Sequence, residues 1–544
     1  MKKLFRSFFT DLFAVKKNIT IALITSLFVV GMFYGSKLFI ESKIDSFLKK
    51  EINQKLGKGY SFTYHDSQWK VFDGSISVIE LVLEKKSSDS SEWKVEVEQT
   101  EMFGFNIIPF ISKSIFRVDS VLIYSPNVKI TNFNSRESKH RASDVESDKI
   151  LKITFGKISL QKGILLYDPG GAERLETKLN FETTNFSIDE GAIGNVLTWQ
   201  NAEVILQDIN YQFRDSIYKA TIDQLSYSSK SGEFTLLNSH LSSILNITDF
   251  SNYHGWRKAM FTADVPKIVI HKPVNYTDSI GFIPKILIVS PHLCLEKDLS
   301  FPLPNRITEL PQAFLSNSSV CLGIDSVQVL DGHFKVEITH QVNSKSKLIF
   351  SHIDARLVGI QNTNPQDAAF NFQADAQFMD KASLRLETSY NYGSLNPFMV
   401  SGKLETISVT FMDEFLRRSA GVELADGTIN ELTFDMKGNT FGVSGAVEMY
   451  YNDLELKIVD KNTKVEKKFL SKMAELFGGL IFWKDNPDKN QFRKGTIENE
   501  RDERKGFVAQ WVDGLLDGII NTILRINPEK LEHTKQKTEE KKSG

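Results

Sequence analysis

The sequence predicts a mainly-β protein: a long antiparallel sheet, one N-terminal transmembrane helix and amphipathic helices near the C-terminus. Three observations carry this. Residues 19–36 are an apolar run without a charge, residues 60–458 adopt a period of two, and residues 506–526 return to a helical period. With 66 basic against 68 acidic residues, the net charge is -2, which argues against a partner held through phosphate contacts; no nucleic acid is expected. Two cysteines exclude a disulfide-rich scaffold and a four-cysteine metal or cluster site. The 40 phenylalanines require an extensive apolar surface that something must cover.

Residues 1–18 form a basic tail with Lys2, Lys3, Arg6, Lys16 and Lys17. As a helix, Ile19 to Ser36 reaches roughly 27 Å, just enough for a bilayer core. A cleaved signal peptide is the competing reading, but the run is long for a signal and no small-x-small cleavage site stands out. An uncleaved anchor is therefore preferred. Lys37, Lys43, Lys49, Lys50 and Lys55 follow the span, so basic residues alone do not orient it. A short tail ahead of a large domain places the bulk outside the cytoplasm. Over residues 37–58, Ile40, Ile44, Phe47, Leu48, Ile52 and Leu56 recur at helical spacing, predicting an amphipathic connecting helix.

Residues 59–459 are the β-rich domain. Ile153 and Phe155 alternate, the pattern slips at Gly156, and Ile158 and Leu160 continue it, which predicts a strand with a bulge at the glycine. Phe370, Phe372, Ala374, Ala376 and Phe378 alternate strictly with polar residues. Further strands are predicted over 204–213, 384–386, 407–411, 432–436 and 441–449, the last carrying Val443, Val447 and Met449 on one side. Phe72-Asp73-Gly74, Ser231-Gly232, Asp331-Gly332, Asp426-Gly427 and Lys437-Gly438-Asn439 are predicted turns. The best internal helix is 411–419. An approximate duplication also shows: Val121 to Ile130 echoes Ile286 to Leu295, each around a Ser-Pro pair, and Ile158 to Gly163 echoes Val327 to Gly332.

Trp69 to Gly74, Ile76 to Leu83, Val118 to Ile130 and Gly442 to Leu454, behind the basic tail and anchor, resemble AsmA-like envelope proteins and the related DUF748-type chains of Gram-negative bacteria. The resemblance covers most of residues 1–460. It implies an inner-membrane anchor, a periplasmic bulk and an elongated antiparallel β-groove, a taco-like twisted sheet of the bridge-like lipid-transfer kind. The implied partner is phospholipid or another acyl-chain lipid, and the implied role is phospholipid transport and outer-membrane biogenesis. Under it, Ile153, Phe155, Ile158, Leu160, Phe370, Phe372, Phe378, Val443, Val447 and Met449 become candidate groove-lining residues. The alternative is that they pack a closed β core in a structural scaffold.

No catalytic pattern appears, and neither an enzyme nor a cofactor is expected. There is no HExxH, no phosphate loop and no dinucleotide fingerprint, and His333 and His340 read as surface residues rather than ligands. Cys294 and Cys321 admit two readings, a disulfide or two separate buried thiols.

Residues 460–505 are a charged linker with a helix predicted over 465–482, stopped at Asn486-Pro487. Over 506–527, Phe507, Trp511, Leu515, Ile519 and Ile523 mark the apolar stripe of an amphipathic helix, with Gln510, Asp513, Asp517, Asn521 and Arg525 opposed. Its polar side is not cationic, so capping the groove end is preferred over lying on a membrane or docking an envelope partner or the outer membrane. Residues 528–544 read as a disordered charged tail.

Overall fold

The alternating segments fold as strands, and strand accounts for 68% of the structure against 11% helix. The computed structural model describes residues 60–70, 74–85, 92–104, 115–132, 152–170, 173–191, 194–271, 281–317, 322–341, 344–362, 369–392, 395–420, 422–458 and 481–525. The predicted tail, span and connecting helix of residues 1–58 lie outside these, as do most of the helix predicted over 465–482 and the tail 528–544. Among the described residues no helix is long and apolar enough to cross a membrane.

The chain divides into two compact units, Met1–Ile244 with Lys267–Lys272, and Leu245–Pro266 with Pro273–Gly544. The first contains β1 (Tyr60–Thr63), β2 (Asp66–Lys70), β3 (Ser75–Lys85), β4 (Glu92–Phe103), β5 (Ile115–Tyr124), β6 (Asn127–Asn132), β7 (Lys152–Tyr167), β8 (Arg174–Gly191), β9 (Gly194–Thr198), β10 (Asn201–Gln212), β11 (Tyr218–Ser228) and β12 (Glu233–Ser243). The second runs through α1 (Ile247–His254), the part of β13 (Met260–His271) before Lys267, the rest of that strand belonging to the first unit, then β14 (Gly281–Val289), β15 (His292–Asp298), α2 (Pro311–Ser316), β16 (Leu322–Gln341), β17 (Ser344–Gln361), β18 (Ala369–Phe378), β19 (Ala382–Asn391) and β20 (Phe398–Leu404). It continues with β21 (Ile407–Ser408), a 3-10 turn, α3 (Asp413–Ala420), β22 (Val422–Gly438), β23 (Gly442–Ile458), β24 (Ile481–Phe482), β25 (Lys494–Glu500), α4 (Phe507–Ile523) and β26 (Leu524–Arg525).

Most neighbours are antiparallel hairpin partners, but the sheet is mixed rather than purely antiparallel. β5 and β6 both pair parallel to β7, and β14 and β15 both pair parallel to β16. The Ser-Pro pair is the cause. Proline cannot donate to a ladder, so it divides one long strand into two halves that share a neighbour. Ser125 and Ser290 take φ 48° and 46° at the break. The Ser125 amide then donates to Gln161 O at 2.9 Å and Ile164 donates to Pro126 O at 2.8 Å. Ser290 donates to Leu330 O at 2.8 Å and His333 to Pro291 O at 2.7 Å, so the two kinks are built alike.

The facing strands match as well. The register of β7 against β8 shifts between Leu160 and Gly163, and that of β16 against β17 between Val329 and Gly332. Asn180 Oδ1 accepts the Lys162 amide at 3.1 Å, as Asp354 Oδ1 accepts the Asp331 amide at 3.0 Å.

Several local expectations are corrected. Gly156 is unpaired in both of its ladders and the buried side slips from Phe155 to Ile158 there, as the pattern predicts, but without a change of register; the register shift of β7 against β8 lies at Gly163. Asp331-Gly332 and Asp426-Gly427 are bulges within β16 and β22, not turns: the positive φ of Asp331 (50°) and Gly427 (132°) serves a ladder irregularity as readily as a reversal. Only Ile407–Ser408 of the predicted 407–411 strand pairs, because Val409–Met412 coils into the 3-10 turn that leads α3. Ile481–Phe482 is a short strand against β26 rather than the end of a helix.

Candidate functional site

In the second unit one face can be followed residue by residue. Directly paired residues point to the same side of a sheet. One lateral row runs Ile286, Val327, Leu357, Phe372, Thr388, Val400, Met436, Gly445 and Ile497. The next runs Ile288, Val329, Ala355, Ala374, Leu386, Gly402, Phe434, Val447 and Gly495. A third joins Leu293, Phe334, Phe350, Phe378 and Ala382. The opposite face of β18 carries Asn371, Gln373, Asp375 and Gln377, all exposed. This strand therefore has one wet and one apolar side.

Burial changes along these rows. Thr388, Val400, Met436 and Ile497 are buried, whereas Ile286, Val327, Leu357 and Phe372 are only half-buried. At Met436 and Ile497 the cover is α4. Its Gly514 sits over Val443, Met436 and Ile497, and its Gly518 over Val447 and Ile497, so close that an added Cβ would collide at each. Phe507 and Trp511 pack on Tyr390, with ring centroids 6.4 and 6.3 Å from it. Burial there pushes the Tyr390 phenol well above its usual range. The β15–β16 connection lies on the same side: parallel neighbours need a crossover, and its Leu310 is buried in one cluster with Phe370, Tyr390 and Phe398.

The helix also finishes the sheet. Asp517 Oδ2 accepts the Glu498 amide at 3.0 Å, and Asn521 Nδ2 donates to Thr496 O at 2.6 Å, occupying backbone groups of β25. An edge strand left bare would invite pairing with another chain. The innermost stripe of α4 is Gln510, Gly514, Gly518, Thr522 and Ile523. Gln510, expected on the wet side, is buried and donates to Asn439 O at 3.1 Å. Phe507, Trp511, Leu515 and Ile519 flank that stripe, half-buried against the core. Hydrophobic spacing marked the helix but not its contact line, because small residues allow the closest approach.

The ten predicted lining residues separate into two groups. Phe370, Phe372, Phe378, Val443, Val447 and Met449 share the apolar face just described, Val443, Val447 and Met449 in its buried part and Phe372 and Phe378 in its half-buried part. Ile153, Phe155, Ile158 and Leu160 lie on β7 of the first unit, where Phe155, Ile158 and Leu160 are fully buried. A row there runs Val78, Thr100, Ile123, Leu160, Phe181, Val204, Tyr227 and Phe234. It is buried as far as Leu160 and half-buried from Phe181 onward. Missing from the predicted set are Ile286, Ile288, Val327, Val329, Phe334 and Phe350. The duplicated segments contain four of these, so the signal was present. Cys294 is a free thiol on β15, raised above the usual thiol range mainly by burial; Cys321 lies outside the described residues. No known family model matches the chain, and no curated protein does.

Proposed function

We propose that the half-buried part of the apolar face, from β14 to β18, binds acyl chains, and that the chain is a lipid-binding and lipid-transfer protein of the cell envelope. One observation carries this reading: the rows through Ile286, Val327, Leu357 and Phe372 and through Leu293, Phe334 and Phe350 are apolar yet none of these residues is fully buried, although α3 packs against β17 and α1 against β15. Exposing each methylene of an acyl chain to water costs about 0.8 kcal/mol. A half-covered apolar strip removes that cost while headgroups stay wet. The resemblance to AsmA-like proteins and the apolar run at residues 19–36 support an inner-membrane anchor, a periplasmic sheet and a part in phospholipid transport toward the outer membrane. In this reading the sheet is a groove that α4 closes at one end.

The test is to extract the full chain from its membrane without delipidating it and to identify bound lipid by mass spectrometry. Co-purifying phospholipid is expected, with losses of several-fold in Val329→Asp and Phe334→Asp. A lipid-free wild type, or equal lipid in both variants, overturns the reading. The full burial of Val447, which α4 covers at Gly518, and of Met449 favours a second reading, a closed scaffold core, for that end of the face.

A further inference from the structure

We propose that His292, His333 and His352 form a binding site for a divalent late-transition-metal ion on the polar face of the second unit, with Asp331 orienting His352. The sheet brings together histidines that are far apart in sequence. His292 on β15 is paired directly with His333 on β16, and their rings stack with centroids 4.5 Å apart. His352 on β17 follows, 5.6 Å from His333. Zinc binds imidazole nitrogen at about 2.0–2.1 Å in tetrahedral sites, which places the centroids of neighbouring ligating rings on the order of 5 Å apart. His292 and His352 flank His333 on either side, each at about that spacing from it. The His292 and His333 rings lie within 4° of parallel, so binding an ion requires rotation about the soft Cβ–Cγ torsions to turn the nitrogens toward one point.

Two further contacts support the assignment. His352 Nδ1 lies 2.9 Å from Asp331 Oδ1, leaving Nε2 for an ion. An imidazole held by a carboxylate on its other nitrogen is the usual support for a metal ligand. His333 Nδ1 is buried without a hydrogen-bond partner, a costly state that coordination relieves. Asp264, opposite His292 in the ladder, adds negative charge from β13.

The fold itself does not require these imidazoles. At the corresponding kink of the first unit, Asn127, Ile164 and Lys178 stand where the second has His292, His333 and His352, and the same backbone bonds form. Cys294, Glu296 and Glu337 lie two and four residues further along the same face, where Lys335 pairs with Glu337 at 2.9 Å. They are a separate cluster and serve as the control.

The experiment titrates Zn2+ into the full chain in detergent micelles by calorimetry, with melting temperature as a second readout. One Zn2+ per chain is expected, with a rise in melting temperature that a chelator reverses. His333→Ile, which installs the residue of the first kink, and His352→Gln each weaken binding at least tenfold, and Asp331→Asn weakens it about tenfold to a hundredfold. Cys294→Ser and Glu337→Gln leave it unchanged. No saturable binding, unchanged binding in folded His333→Ile and His352→Gln, or loss in Cys294→Ser overturns the proposal.

Discussion

Gly495 on β25 lies directly beneath the backbone carbonyl of Gly518 on α4, with no room for a side chain between strand and helix. This approach lets Asp517 and Asn521 reach the edge of the sheet and holds the apolar stripe of α4 on Val443 and Val447. Because the blocking atom is backbone, no rotamer change can relieve an added methyl.

Gly495→Ala should therefore lift α4 and cost about 1–3 kcal/mol. Urea unfolding checks this, and a cost below half a kcal/mol would show that the helix does not seat on β25.

The covered and half-covered parts of the face should respond differently to truncation. Phe398 is 2% exposed, so Phe398→Ala should cost about 3–5 kcal/mol. Phe334 is half-buried, and Phe334→Ala should cost less than half as much while reducing bound lipid. Equal destabilisation by the two would mean that the strip at β16 is an ordinary core.

The paired kinks make a comparison available within one chain. A Cβ on Gly163 would stand 2.8 Å from Leu179 O, whereas one on Gly332 meets its nearest atom, Val329 Cγ1, at 3.1 Å. Gly163→Ala should cost about 1–3 kcal/mol, and Gly332→Ala should stay within about 1 kcal/mol of wild type. The reverse order in parallel denaturation curves would contradict the geometry.

Cys294 gives a pH readout. Burial raises its thiol, and the thiolate is the reactive form, so the reactive fraction appears at higher pH than for a free thiol. In a Cys321→Ser chain, alkylation should be several-fold slower than that of free cysteine at pH 8 and should accelerate as the pH rises to 10. Equal rates at pH 8 would mean that the thiol is not shielded.

Strands with strict alternation were legible directly: Phe370 to Phe378 pairs on both sides with its apolar residues on one face, as the period of two requires. Asp-Gly pairs were less legible, since positive φ suits a bulge as well as a turn, and only the neighbouring strand distinguishes them. The histidine cluster could not be read at all. His292, His333 and His352 share no spacing, and register alone makes them neighbours.

The sequence by itself determined the mainly-β class, the side of each regular strand that faces apolar surroundings and the existence of the helix over Phe507–Ile523, because these follow from local period and side-chain chemistry. Tertiary structure decided the parallel pairing at the Ser-Pro kinks, the glycine contact of α4 and where the apolar face is covered. Those depend on which strand or helix arrives from elsewhere in the chain, and no local pattern encodes that.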